Sequence, residues 1–131
     1  MRLLVCGGRK YGVDYQGNEI TLLTWPLYDI LQEYLDKNPD LTIIHGGARG
    51  ADYWAKLWAL HAGVSQLEFP AEWDKYGRGA GVIRNTRMIV EGHPDLILAF
   101  PGGSGTANMV SQGKKYNINT RQVLLDEILR R

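Results

Sequence analysis

The sequence predicts an α/β fold, a three-layer sandwich with helices on both faces of a central, mostly parallel sheet. Three observations carry this. Short apolar runs alternate with stretches of helical period along the chain. Most of these runs end in a glycine turn, as a strand does when it hands over to a helix. The 131 residues, 44% of them hydrophobic, suit one domain with its own core, and no linker or low-complexity segment marks a second.

Residues 2–6 read as a short buried strand ending in Gly7-Gly8-Arg9-Lys10. Residues 11–23 are rich in turn formers and too long for an ordinary strand-to-helix connection, so they read as a loop holding a short hairpin or forming a flap. Thr24 is expected to cap a helix with Pro26 in its first turn. That helix runs to about residue 37 with Leu27, Ile30, Leu31, Tyr34 and Leu35 as its apolar stripe, and Asn38-Pro39-Asp40 ends it. Residues 41–45 form a continuous apolar run of the kind found in parallel sheets.

A second helix is expected over residues 50–62, with Ala51, Trp54, Ala55, Trp58, Ala59 and Ala62 on one face and Gly63 as its stop. Its two tryptophans read as packing residues. A third strand over 65–69 leads into a loop through Asp74, Tyr76, Gly77 and Gly79. The helix over 80–91 is expected to bury Val82, Ile83, Thr86, Ile89 and Val90 and to turn Arg84, Met88 and Glu91 outward, Met88 marking a subunit contact. A strand over 95–100, a helix over 105–116, a short strand over 120–124 and a helical end complete the pattern.

Composition narrows the function. The formal charge is +1 with no basic stripe, which disfavours a dedicated nucleic-acid binder but leaves room for a small anionic ligand. The single cysteine, Cys6, can form no internal disulfide and reads as a buried strand residue. No His, Cys or carboxylate spacing resembles a metal site, and no cofactor is required by any motif. No apolar stretch approaches transmembrane length and no signal-peptide pattern opens the chain, so a soluble cytoplasmic protein with no membrane partner is expected.

Right-handed crossovers gather the glycine turns at the carboxyl edge of the sheet, where ligands of open α/β sheets bind. Two turns there have the layout of a phosphate corner: Pro101-Gly102-Gly103-Ser104-Gly105-Thr106, and Gly46-Gly47-Ala48-Arg49-Gly50-Ala51-Asp52. Glycines allow close backbone approach, helix-start amides point at an anion, and Thr106 adds a hydroxyl donor. The turn at Gly8 and Arg9 adds a third, but it lacks the G-x-G-x-x-G spacing of a dehydrogenase. Arg9, Arg49 and Arg84 are candidate phosphate forks. Asp52 either caps its helix or holds a ribose hydroxyl or Arg49. Asn85 is expected to bond a base, a ribose or a neighbouring loop. Glu72 is the best-placed candidate catalytic carboxylate, Asp14 a weaker one, and His45 is expected to make structural hydrogen bonds beside the glycines.

Taken as an ordered set, Gly46-Gly47-Ala48-Arg49-Gly50-Ala51-Asp52, Pro70-Ala71-Glu72-Trp73, Ala80-Gly81-Val82-Ile83-Arg84-Asn85 with Met88, and the segment from Ala99 to Thr106 resemble the YspA/YpsA-related branch of the SLOG superfamily. The resemblance implies a Rossmann-like fold, a nucleotide or nucleotide-derived ligand, a homodimer or larger assembly, and a bacterial or phage setting. The turn from Pro101 to Thr106 is similar to that of the LOG phosphoribohydrolases, and Gly47 to Asp52 to the glycine-arginine turn of the DNA-processing protein DprA. Where the LOG enzymes carry a catalytic glutamate, three residues past the threonine, this chain has Met109. The first functional expectation is therefore binding of a phosphorylated ribose compound such as an ADP-ribose derivative, for sensing or sequestration. The alternatives are an N-glycosidic-bond hydrolase using another carboxylate (Glu72, Asp52, with Arg84) and a DprA-like nucleic-acid accessory protein.

Overall fold

The computed structural model describes residues 1–131. Five strands, β1 (Arg2–Cys6), β2 (Thr42–His45), β3 (Ser65–Glu68), β4 (Leu96–Ala99) and β5 (Asn119–Gln122), form one sheet. Their order is β3-β2-β1-β4-β5, and every neighbouring pair is parallel. The helices between them are α1 (Thr21–Lys37), α2 (Ala51–Ala62), the single turn α3 (Trp73–Tyr76), α4 (Ala80–Val90), α5 (Ser104–Lys115) and the terminal α6 (Leu125–Arg130). This is the α/β three-layer architecture expected from the alternating pattern.

Alternation along each strand divides the core in two. Leu3 and Val5 of β1 point to a cluster of 17 buried residues with α1, α2 and α6, while Leu4 and Cys6 point to a cluster of 8 with α4 and α5. The chain lays down β1, β2 and β3 in one direction, then returns to place β4 on the other side of β1. The strand order therefore reverses between β1 and β4, and the turns after these two strands open side by side at the crevice such a reversal creates.

Two helices differ from their sequence reading. α1 starts at Thr21, four residues earlier than a Thr24 cap would place it, with Ile20 at its N-cap and Pro26 inside the helix. The Thr24 hydroxyl is buried and donates to the Glu19 carboxylate at 2.6 Å instead of capping. Residues 11–20 hold one antiparallel bridge, Val13 to Glu19, and Asp14 closes the turn between them by accepting from the amides of Gln16 and Asn18.

In α4 the buried face is Ala80, Asn85, Met88 and Ile89, whereas Val82, Ile83 and Val90 are exposed. Met88, only 2% exposed, is therefore a core residue and not an outward subunit contact. The cause is Asn85. It donates to the Gly105 carbonyl at 3.2 Å and to Asn108 Oδ1 at 3.1 Å, so a polar residue occupies the line facing α5 and rotates the apolar count. Ala62, at the end of α2, is exposed where a buried position was expected.

Candidate functional site

A cleft of about 1000 Å³ opens at the carboxyl edge of the sheet between the turns after β1 and β4. That volume is at the upper end for small-molecule sites. One wall is the β1 turn from Gly7 to Tyr11, and the other is Pro101 to Thr106 with the start of α5. The floor includes Cys6 and Asp52, and the α4 side contributes Arg84, Asn85 and Met88.

The two walls are fitted to each other by backbone contact. The Gly8 amide donates to the Pro101 carbonyl at 3.0 Å. A Cβ on Gly102 would press on the Thr106 hydroxyl and stand 2.6 Å from the Gly8 nitrogen, so the turns close only with glycine at this point. Gly103 and Gly105 are different, because a Cβ on either would meet nothing within 4 Å. These two positions are free to be filled, and they stand at the N-terminus of α5. No side chain caps that helix and its first turn holds no acidic residue, while Lys114 and Lys115 sit in its last turn. The positive end of the helix is thus left open toward the cleft.

The second glycine corner is already occupied by the protein itself. The buried Asp52 carboxylate accepts from the Gly46 amide at 2.9 Å and the Ala48 amide at 3.4 Å. The Gly47 amide donates to His45 Nδ1 at 3.0 Å, which puts the imidazole proton on Nε2, 2.8 Å from Gln66 Oε1. The structural role expected of His45 is thus what the geometry shows. Arg84 lies over the same turn and donates to the Gly46 carbonyl at 2.8 Å. Three of this corner's amides are spent on internal acceptors, and Gly46, Gly47, Arg49 and Gly50 do not line the cleft.

Of the residues singled out in the sequence, the cleft brings together Gly8, Arg9, Asp52, Arg84, Asn85 and the whole turn from Pro101 to Thr106. Glu72 is exposed and lies in a separate shallow depression with Trp73, Asp74 and Lys75. Met109, at the position of the LOG glutamate, is fully buried in the smaller core cluster. Sequence reasoning passed over Lys10, Trp73 and Arg78, all of which line the cleft. The signal for the last two was present: an aromatic and an arginine in a glycine-bearing segment between a strand and a helix.

The charge balance is one-sided. Arg9, Lys10, Arg78 and Arg84 line the cleft, and Asp52 is its single carboxylate. None of the four cations takes part in any ion pair of the chain. Burial pushes the Asp52 carboxyl above the usual range, opposed by the nearby Arg84 charge and by the two amides. Burial lowers the Arg84 guanidinium, Asp52 raises it, and the nearby Arg9 charge lowers it further. Burial also drives the Cys6 thiol well above its ordinary value, with Asp52 adding to the shift. Cys6 is therefore expected to resist iodoacetamide at neutral pH in the native protein and to react fully in denaturant, as read by intact mass.

A parallel sheet in this order, with its cleft at the strand-order reversal, defines a Rossmann-like α/β module. The chain belongs to the YspA, cpYpsA-related SLOG family, whose match runs over residues 1–76. It is 38% identical to the Gene 61 protein of Mycobacterium phage D29 over 102 residues, 70% of this chain and 79% of that protein. Its fold is similar to the X-ray structure of TM1055, with a TM-score of 0.68 at 15% identity, over 91% of this chain and 71% of that one. Membership of this family marks a nucleotide-related module. No helix is long and apolar enough to cross a membrane.

Proposed function

We propose that the chain binds a nucleotide or nucleotide-derived ligand, a phosphorylated ribose compound of the ADP-ribose type, and serves as a sensor or sequestering module for it. One observation carries this reading: Arg9, Lys10, Arg78 and Arg84, none in a direct salt bridge, line a cleft whose single carboxylate is turned inward to backbone amides. Such a site favours an anion by its field, and arginine forks and an open helix N-terminus favour phosphate in particular. The phosphate sits against Gly103, Gly105 and Thr106 in this reading.

Hydrolysis of an N-glycosidic bond has less support. Cleavage through an oxocarbenium-like centre wants a carboxylate free to face the reacting carbon. Met109 is buried, Glu72 lies outside the cleft lining, and Asp52 is held by Gly46 and Ala48.

Thermal unfolding with adenosine 5′-monophosphate, NAD or ADP-ribose tests the proposal, with chromatography of each mixture for released base. A ligand present at about 100 times its Kd stabilises by about 2.7 kcal/mol, a shift of several degrees. Gly103→Val is expected to abolish the shift while melting close to the parent, because the added side chain enters open space at the turn. A Gly103→Val protein that binds as well as the parent would remove the turn from the site.

A further inference from the structure

We propose that Trp73 is the platform on which an aromatic base of the ligand stacks, so that the cleft selects nucleotides over phosphorylated sugars that lack a base. This deepens the phosphate reading above and rests on it. Trp73 lines the cleft yet is 46% exposed. Every residue from Glu72 to Gly79 is exposed, so no buried neighbour in its own segment anchors the ring. The ring meets the start of α4, where a Cβ on Gly81 would lie 3.6 Å from its edge, and its face is covered by the Arg9 guanidinium, 5.0 Å from the centroid. The other tryptophans are accounted for differently: Trp54 and Trp58 pack in the larger core cluster, and Trp25 does not line the cleft.

A large ring half in water at the rim of a cationic cleft is suited to a ligand that is anionic at one end and aromatic at the other. Arg9 at 5.0 Å leaves no room for a base between guanidinium and ring. The base therefore takes the face by displacing Arg9, and the released guanidinium, which no carboxylate holds, turns to the phosphate. A cation over an exposed ring is a weaker contact than a stacked base, so the exchange favours binding. Ribose 5-phosphate can engage the turn from Pro101 to Thr106 but has nothing to place on Trp73.

The test is calorimetric titration of the full chain with adenosine 5′-monophosphate and with ribose 5-phosphate. The parent is expected to prefer the nucleotide. In Trp73→Leu the ratio of the two affinities is expected to fall about tenfold, the lower end of what one stacked base contributes. Trp73→Phe is expected to keep most of the ratio. An unchanged ratio in Trp73→Leu overturns the platform. A parent that binds both ligands equally also overturns it, while leaving the phosphate site standing. A parent that binds neither overturns the phosphate reading and the platform with it. Circular dichroism checks the fold of both variants, and a Trp73→Leu protein that fails to fold contradicts the exposure on which the proposal stands.

Discussion

Gly50→Ala is expected to lower the melting temperature by roughly 10–20 °C. Gly50 sits at the N-cap of α2 with φ 76° and ψ −129°, a conformation that only glycine adopts without strain. The strain alone costs on the order of 1–3 kcal/mol. A Cβ there would also press into the Gly8 carbonyl oxygen and lie 2.6 Å from the Arg9 carbonyl carbon. Both are backbone atoms, so no rotamer change relieves the clash, and overpacking of this kind adds roughly 1–3 kcal/mol. The contact is a joint: the Ala51 amide donates to the same Gly8 carbonyl at 3.2 Å, pinning the β1 turn to the start of α2. Gly63→Ala is the comparison for a left-handed position without the joint, because at φ 70° and ψ 27° it faces nothing within 4 Å. It should cost about 1 kcal/mol. A loss at Gly50 no larger than the loss at Gly63 would overturn the joint.

Most of the fold is legible in the sequence because strands and helices leave different periods. Leu3 to Cys6, Ile43 and Ile44, and Ile97 to Ala99 are buried on both faces, and they read as unbroken apolar runs. The site is legible only in part, because a glycine turn in a sequence does not reveal who uses its amides. The corner at Gly46 looks as open as the one at Pro101, yet Asp52 and His45 fill it from six residues downstream and from the residue before. The direction of α4 is hidden for a related reason. Its inward line carries a polar residue, Asn85, whose partners Gly105 and Asn108 are about 20 positions away. Hydrogen-bond partners at such separations are set by the packed structure and leave no local pattern. Arg9 and Trp73 meet for the same reason, across 64 residues of chain that only the sheet order brings together.

Arg84→Met should weaken nucleotide binding by about 10- to 100-fold, the range for losing one charge-assisted contact, and should also destabilise the free protein by roughly 2 kcal/mol at neutral pH. The two effects have separate origins. The guanidinium lines the cleft, and it also donates to the Gly46 carbonyl and offsets the charge of the buried Asp52. Without it, Asp52 keeps its two amides but loses the nearby positive charge that most strongly opposes burial. Its folded pKa, already raised, moves further above the unfolded value. The native state then holds a proton at pH values where the unfolded chain has released it, so stability is fully present below the unfolded pKa and is lost as pH rises through the folded one. Arg84→Met should therefore be closest to the parent near pH 4 and fall progressively behind toward pH 8 in chemical denaturation. Adding Asp52→Asn removes the unpaired charge while its amide oxygen still accepts from Gly46 and Ala48. The double variant is expected to lose the added pH dependence and recover most of the stability, yet to bind nucleotide as weakly as Arg84→Met alone. Recovery of affinity together with stability would mean that Arg84 serves the turn and not the ligand.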